Sequence, residues 1–184
     1  MRVLSRKLKM NNIINFFCFQ VGWFSAVLTA AKGVPWIGVL IIGFCVSVHL
    51  YRSFKPREEI ILIVLIAFLG GVFDSVFVFL DWIYYSSGQI HQNLTTYWIL
   101  AMWASFATTL RSSMSWLKDY KILSVIFGFF GGPLAYYGGY KLKAIEFINF
   151  ESAMIGLAFG WAIIIPFLFY LTENIFDPDK KEIN

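Results

Sequence analysis

The chain has 184 residues, of which 59% are apolar and 14% are charged, and its formal net charge is +4. Soluble domains usually carry about 25% charged residues, so this chain has too little charge to cover a water-exposed surface. Intrinsic disorder is also excluded, because it requires low hydrophobicity and high charge. The composition therefore indicates an integral membrane protein.

Six apolar stretches are long enough to cross a bilayer as helices, since a hydrocarbon core of about 30 Å needs about 20 mainly apolar residues. They cover residues 13–30, 34–51, 60–80, 97–117, 122–140 and 152–171. Their nearly continuous apolar character disfavours a β-barrel, whose strands alternate. No linker is long enough to hold a soluble domain. We predict an all-α polytopic bundle of six transmembrane helices, with residues 1–184 forming a single domain.

The basic residues are distributed unevenly between the two sides of the predicted bundle. The inner segments contain Arg2, Arg6, Lys7, Lys9, Arg52, Lys55, Arg57, Lys118, Lys121, Lys180 and Lys181, and the outer segments contain Lys32, Lys141 and Lys143. Under the positive-inside rule, both termini face the cytoplasm. This topology and the attraction to anionic headgroups explain the net charge, so we expect the bilayer as partner and no nucleic acid.

Polar residues inside the spans are the functional candidates, because they are costly in lipid. Asp74 lies in the third span and shares a helix face with Gly70 and Gly71. A rise of about 1.5 Å per residue places Asp74 at the depth of Trp103 and Tyr136, whose N–H and O–H groups are suitable donors. Alternatively Asp74 is protonated, which would allow a proton-coupled role.

Arg111 lies near the inner end of the fourth span, on a ridge of small and hydroxyl residues. The ridge consists of Ala101, Ala104, Ser105, Thr108, Ser112 and Ser115. Two interpretations stay open: either Arg111 binds an anionic group in a polar cavity, or its side chain extends to the cytoplasmic headgroups. The depths of Arg111 and Asp74 differ by about 12 Å, so we do not expect a direct pair.

The fifth span contains the sequence Gly131-Gly132-Pro133. Proline removes a backbone donor, so a kink or break is predicted near mid-depth, and broken helices often form substrate sites in transporters. The alternative is a kinked helix in which Gly128 and Gly132 make a close helix contact. Glycines at the same spacing also occur in the sixth span. This spacing favours close helix crossing, either within the bundle, or in a homo-oligomer, or with a membrane partner protein.

His49 and Gln20 are further polar residues within spans. His49 follows Cys45 by one helical turn, and Cys18 lies at a similar depth. Structural zinc sites use four ligands at recognisable spacings, so we expect neither a metal nor a cofactor. Gln20 fits a bridge between helices. Nucleotide-binding, serine-hydrolase and metalloprotease motifs are missing from the sequence, so no catalytic residue is assigned and nothing argues positively for an enzyme.

Several stretches of the sequence together resemble one protein family. They are Asn15-Phe16-x-x-Phe19-Gln20-x-Gly22-Trp23-Phe24, His49, Gly70-Gly71-x-x-Asp74, Tyr97-Trp98 with Trp103, and Gly131-Gly132-Pro133-Leu134-Ala135-Tyr136-x-Gly138 with Gly160-Trp161. Over nearly the whole chain they are similar to domain-of-unknown-function family 2878. The resemblance implies a small multi-span protein of the bacterial inner membrane, whose gene tends to lie near those of enzymes that modify membrane fatty acids. Lys143 departs from the family pattern, which has glycine there.

Three functions are compatible with these observations. The first is transport or handling of a small or lipidic molecule through a polar interior, with Asp74 as the ionisable group, Arg111 as the anion contact and residues 131–136 as a flexible wall. The second is an accessory enzyme of membrane-lipid modification, which needs ionisable groups within hydrogen-bond reach of one another. The third is a structural or regulatory membrane subunit. The candidate binding residues are Asp74, Arg111, Trp103, Tyr136, Gly131, Gly132, Pro133, His49 and Gln20.

Overall fold

A computed structural model describes the backbone of residues 2–175 and the side-chain environments of residues 11–174. Within this part, six α-helices form: α1 Arg2–Ala31, α2 Pro35–Arg52, α3 Pro56–Phe79, α4 Tyr97–Leu110, α5 Lys121–Lys141 and α6 Phe150–Ile175. Two short strands, β1 Ile83–Tyr85 and β2 Ile145–Phe147, and a 3-10 helix, Ser115–Asp119, lie between them. The predicted all-α helical bundle is confirmed.

The predicted orientation depends partly on residues outside the described part of the chain. Lys180 and Lys181 lie beyond residue 175, and the side chains of Arg2, Arg6, Lys7 and Lys9 lie outside the described residues. A topology with both termini in the cytoplasm therefore stays a prediction.

Proline marks the start of two of the helices. Pro35 and Pro56 occupy the first turns of α2 and α3, where the missing N–H costs no hydrogen bond. Glu58 and Glu59 follow in the first turn of α3, and acidic side chains there are stabilised by the helix dipole. Helix α3 thus begins before residue 60, its predicted start, and carries Glu59 as a helical, buried residue.

Five of the described helices are long and apolar enough to cross a membrane, and α4 is a shorter apolar helix. The sequence predicts a continuous helix over residues 97–117, but α4 ends at Leu110. The hydroxyls of Thr108 and Thr109 bond to carbonyls three residues earlier, each at 2.7 Å, and such bonds compete with the helical ladder. Arg111 follows as the C-cap residue, so its predicted place inside a helical span is wrong.

Helix α5 runs unbroken through Pro133, so the predicted break is wrong. The alternative, a close helix contact, is confirmed by the two glycines that face α6. A Cβ on Gly128 would lie 2.2 Å from the Trp161 carbonyl oxygen, and a Cβ on Gly132 would lie 2.2 Å from Cγ of the same indole. The two glycines therefore allow the backbone of α5 to pack directly against α6.

The two short strands pair antiparallel and join the α3–α4 connection to the α5–α6 connection, with Tyr85 opposite Ile145. Asp81 and Lys143 precede the strands with positive φ angles of 54° and 65°. A left-handed backbone conformation is favourable for glycine and strained for lysine, which explains why glycine is expected at position 143. The strand pair closes one end of the bundle and directs Tyr85 inward.

The outer surface of the bundle is apolar. The α3 side predicted to face lipid carries Phe68, Val72 and Phe79, whose exposed fractions are 66%, 52% and 68%. Inside, α1 packs mainly on α2 and α4, α3 packs on α4, and α5 packs on α6. The polar residues lie between these packed helices, at the two ends of the bundle.

Candidate functional site

Asp74 forms a polar cluster near the strand end of the bundle. Its carboxylate is fully buried and accepts three hydrogen bonds. Tyr85 and Tyr136 donate their hydroxyls to Oδ1 at 2.7 and 2.5 Å, and Trp103 donates its indole N–H to Oδ2 at 2.5 Å. The predicted contacts of Asp74 with Trp103 and Tyr136 are confirmed.

Tyr85 is a donor that the sequence does not reveal, because residues 83–85 lie in a connection between predicted spans. The strand alternates, with Ile83 and Tyr85 buried and Tyr84 exposed. Burial raises the pKa of the Tyr85 phenol well above its usual value, so its hydroxyl stays protonated and donates. The short alternation Ile83-Tyr84-Tyr85 was the available signal in the sequence.

The glycines beside Asp74 make room for the indole that binds it. A Cβ on Gly70 would lie 2.0 Å from the Trp103 ring, and a Cβ on Gly71 would lie 2.4 Å from Leu100. Trp103 in turn stacks on Trp161, with ring centroids 4.7 Å apart. The Asp74 cluster is therefore an enclosed connection between α3, α4, α5 and β1.

A polar cavity of about 250 Å³ lies at the opposite end, between α1, α2, the start of α3 and the residues after α4. Two of the predicted candidates, His49 and Arg111, line it together. The residues that sequence reasoning did not assign to a site are Asn15, Arg52, Lys55 and Glu59. We call this space the polar cavity.

His49 is held on both sides of its ring. Nε2 lies 3.1 Å from Glu59 Oε2, and Nδ1 lies 3.4 Å from the side-chain nitrogen of Asn15. The carboxylate is an acceptor, so this arrangement fits the tautomer with its proton on Nε2. An imidazole oriented by a carboxylate, with a lone pair on its other nitrogen, has the chemistry of a general base.

Arg111 contacts two carboxylates of α3. Its Nη1 lies 3.3 Å from Glu58 Oε2, and its Nε lies 3.7 Å from Glu59 Oε1. The side chain is 14% exposed. Arg111 therefore lies at the polar cavity with protein carboxylates as partners, and both interpretations offered by the sequence stay predictions.

Arg52 lines the polar cavity and has one guanidinium N–H without an acceptor among the described residues. Its Nη2 donates to the side-chain oxygen of Asn11 at 2.6 Å. Its Nε is enclosed and has no hydrogen-bond partner in the described part of the chain. Lys55, by contrast, pairs with Glu58 at 3.0 Å. A buried guanidinium N–H without an acceptor is costly, and an anionic oxygen would relieve that cost.

Asn15 forms the floor of the polar cavity and fixes the end of α4. Its nitrogen donates to the hydroxyl of Thr108 at 2.9 Å and to the carbonyl of the same residue at 3.2 Å. Its oxygen accepts the hydroxyl of Ser113 at 2.7 Å. One amide thus satisfies α4 groups that the helix end leaves without partners.

The remaining candidates lie elsewhere. Gln20 is half-buried on α1 and does not line the polar cavity. Gly131 and Pro133 lie inside α5, where a Cβ on Gly131 would meet only the ring of Phe127. Cys18 and Cys45 line the polar cavity, but the described residues contain no group of three metal-ligating side chains.

Comparison with known proteins gave one family. The model of a family described as "Protein of unknown function (DUF2878)" matches residues 12–167. The matched range contains the Asp74 cluster and, apart from Asn11, the residues that line the polar cavity. Searches of curated proteins and of solved structures gave no match.

Proposed function

We propose that this chain handles a small or lipidic molecule through its polar interior. The chain belongs to the DUF2878 family of proteins of unknown function, as its sequence motifs indicate. The polar cavity holds the anionic group of that molecule. The long apolar helices support a membrane location. The distribution of basic residues supports the bacterial inner membrane with both termini in the cytoplasm.

The unpartnered Nε of Arg52 is the observation that carries this proposal. Arg111 and Lys55 also line the polar cavity, but Glu58 partners both of them. Arg52 therefore replaces Arg111 as the anion contact. Guanidinium groups match the oxygens of phosphates and carboxylates, often through two parallel hydrogen bonds.

With the predicted orientation, the polar cavity lies at the level of the inner-leaflet headgroups. That leaflet carries anionic lipids, which attract clustered Lys and Arg side chains. Arg52, Lys55 and Arg57 lie within six residues of one another at this end. The same chemistry suits a lipid phosphate or a free organic phosphate, so the experiment includes both.

Native mass spectrometry of the detergent-purified protein tests the proposal. Phosphatidylglycerol, phosphatidylethanolamine and free glycerol phosphate are added separately. We expect saturable binding of phosphatidylglycerol that exceeds that of phosphatidylethanolamine by about tenfold, equivalent to 1.4 kcal/mol. Saturable binding of glycerol phosphate alone would identify a soluble ligand. Equal, non-saturable binding of all three would contradict the proposal.

An accessory enzyme of membrane-lipid modification is the second candidate function. The depth difference between Asp74 and Arg111 argues against converging ionisable groups, but His49 and Glu59 converge at 3.1 Å on the wall of the polar cavity. That contact supplies the arrangement that acid–base chemistry requires. This contact therefore favours His49 as the acid–base residue of such an enzyme.

Lipid extracts of a deletion strain test the second function. The strain is complemented with the wild-type chain, with His49→Gln, or with His91→Gln, which alters an exposed loop residue. An enzyme with His49 as its base predicts that wild type and His91→Gln restore the fatty-acid profile and that His49→Gln does not. An identical profile with and without the gene would exclude this function.

A further inference from the structure

A second cavity, of about 80 Å³, lies beside the Asp74 cluster and is separate from the polar cavity. It lies between α1, α4, α5 and α6. On α1 it is lined by Phe19, Trp23 and Val27, whereas Asn11, Asn15 and Cys18 line the polar cavity. Asn11, Asn15, Phe19, Trp23 and Val27 follow one another in steps of four residues, so the two cavities lie at successive heights along one side of α1. We call this second space the apolar cavity.

The walls of the apolar cavity are hydrocarbon and aromatic rings. Trp161 also lines the cavity, and its Nε1 has no hydrogen-bond partner among the described residues. Trp103 and Tyr136 donate their hydrogen-bonding groups to Asp74, and Trp98 donates its indole N–H to the Ser87 carbonyl. Their rings therefore face the cavity while their donors point away from it. A buried water needs two to four polar partners, so an apolar occupant suits this space better than water does.

The apolar cavity has partly exposed lining residues on three helices. Phe19, Met102 and Ala135 line it and are half-buried. Helix α1 packs mainly on α2 and α4, and α5 packs mainly on α6. Between α1 and α5 the ring of Trp23 lies beside Gly138, where a Cβ would be 3.3 Å from it. Leu134, next to Ala135, is 70% exposed and contributes an apolar rim.

We propose that the apolar cavity binds a segment of one aliphatic chain of a membrane lipid, which enters sideways between α1 and α5. This inference rests on the membrane location given in the proposed function. At this depth the surrounding solvent is hydrocarbon, and hydrocarbon matches the lining of the cavity. It makes the handled molecule lipidic, with Asp74 holding Trp103 and Tyr136 in the wall.

Photo-crosslinking in vesicles tests the proposal, using phosphatidylcholine with a diazirine in its acyl chain. Val27 and Ile99 line the apolar cavity and are only 1% and 3% exposed, so bulk lipid does not reach them. We expect mass spectrometry of the wild-type protein to find labelled Val27 or Ile99 in addition to outward residues such as Leu134.

Two matched variants then separate the apolar cavity from the outer surface. Ala135→Phe fills the cavity, whereas Leu134→Phe adds the same ring to the exposed neighbouring position. We expect labelling of Val27 and Ile99 to fall at least about tenfold in Ala135→Phe and to persist in Leu134→Phe. Equal labelling in both variants would overturn the proposal.

The labelling pattern of the wild-type protein tests the site even if Ala135→Phe fails to fold. Labels on outward residues such as Leu134, with none on Val27 or Ile99, would overturn the aliphatic-chain site and leave the proposed function intact. If no outward residue were labelled, the result would instead contradict the membrane location itself.

Discussion

The Asp74 carboxylate accepts hydrogen bonds from donors in three segments of the chain. The contacts with Trp103 and Tyr136 were predictable, because helix rise converts sequence position into depth. The contact with Tyr85 was not predictable, because the depth of a residue in a connection depends on the strand with which it pairs. Glu59 was missed for a related reason: its charged neighbours suggest a loop, although Pro56 and two acidic residues form a favourable first turn.

Asp74→Asn tests whether this carboxylate stabilises the bundle. The amide keeps one acceptor but places an N–H₂ group against donors from Trp103 or the tyrosines, leaving a buried donor without a partner. We expect the free energy of unfolding to fall by about 1–3 kcal/mol, measured by denaturant titration in detergent. Tyr84→Phe, on the exposed side of β1, is the control and should stay close to wild type.

The same Asn variant tests a proton-coupled role for Asp74. If Asp74→Asn retains full stability, the three hydrogen bonds contribute nothing that the amide cannot replace. If it folds and retains every activity found for the wild type, a proton-coupled role is excluded.

At the scale of helices, hydropathy predicts the number and order of the elements, while local hydrogen bonding decides where they end. Helix α4 stops at Leu110, where the Asn15 amide bonds to the Thr108 carbonyl and the Thr109 carbonyl accepts the N–H groups of Ser112 and Met114. Helix α5 continues through Pro133, and Gly128 and Gly132 serve its packing on Trp161. A one-dimensional sequence does not show which of two proline outcomes tertiary packing selects.

The glycines of α6 also serve contacts within the chain. A Cβ on Gly156 would lie 3.0 Å from Phe77, and a Cβ on Gly160 would lie 2.5 Å from Phe73. These contacts account for the glycine spacing within the bundle. A homo-oligomer or a membrane partner protein therefore gains no support from this spacing.

Two glycine-to-alanine changes measure how far helix packing depends on close approach. Gly70→Ala places a methyl group against the Trp103 ring, and overpacking of this kind costs about 1–3 kcal/mol. Gly43→Ala meets nothing within 4 Å, and alanine is the better helix former by about 1 kcal/mol. We expect the first variant to lower the thermal midpoint in detergent and the second to hold or raise it. Equal shifts would contradict the α3–α4 packing described here.

At the scale of the whole molecule, the bundle separates two chemical environments. Asp74 and the apolar cavity lie near the strand pair, and the polar cavity lies at the end rich in arginine and lysine. The sequence predicts this polarity through its charge distribution. It does not predict the polar cavity, because Asn15, His49, Glu59 and Arg111 come from four separate segments.

Thiol labelling of intact cells tests the orientation of the bundle. His91 and Arg57 are exposed residues in segments predicted to lie outside and inside. We expect a membrane-impermeant maleimide to label His91→Cys in intact cells and to label Arg57→Cys only after permeabilisation. The reverse pattern would place the polar cavity on the outer face and contradict binding of inner-leaflet headgroups.

Arg52 is the residue proposed to bind the anionic group of the handled molecule. The most direct test of this proposal is the affinity for phosphatidylglycerol of the wild type, Arg52→Gln and Arg57→Gln, measured by native mass spectrometry. Arg57 is exposed at the same end and does not line the polar cavity, so its change removes the same charge without removing the contact. We predict a loss of about tenfold for Arg52→Gln, equivalent to 1.4 kcal/mol, and a change within about twofold for Arg57→Gln. Equal affinity of all three proteins, or an equal loss in both variants, would contradict the claim.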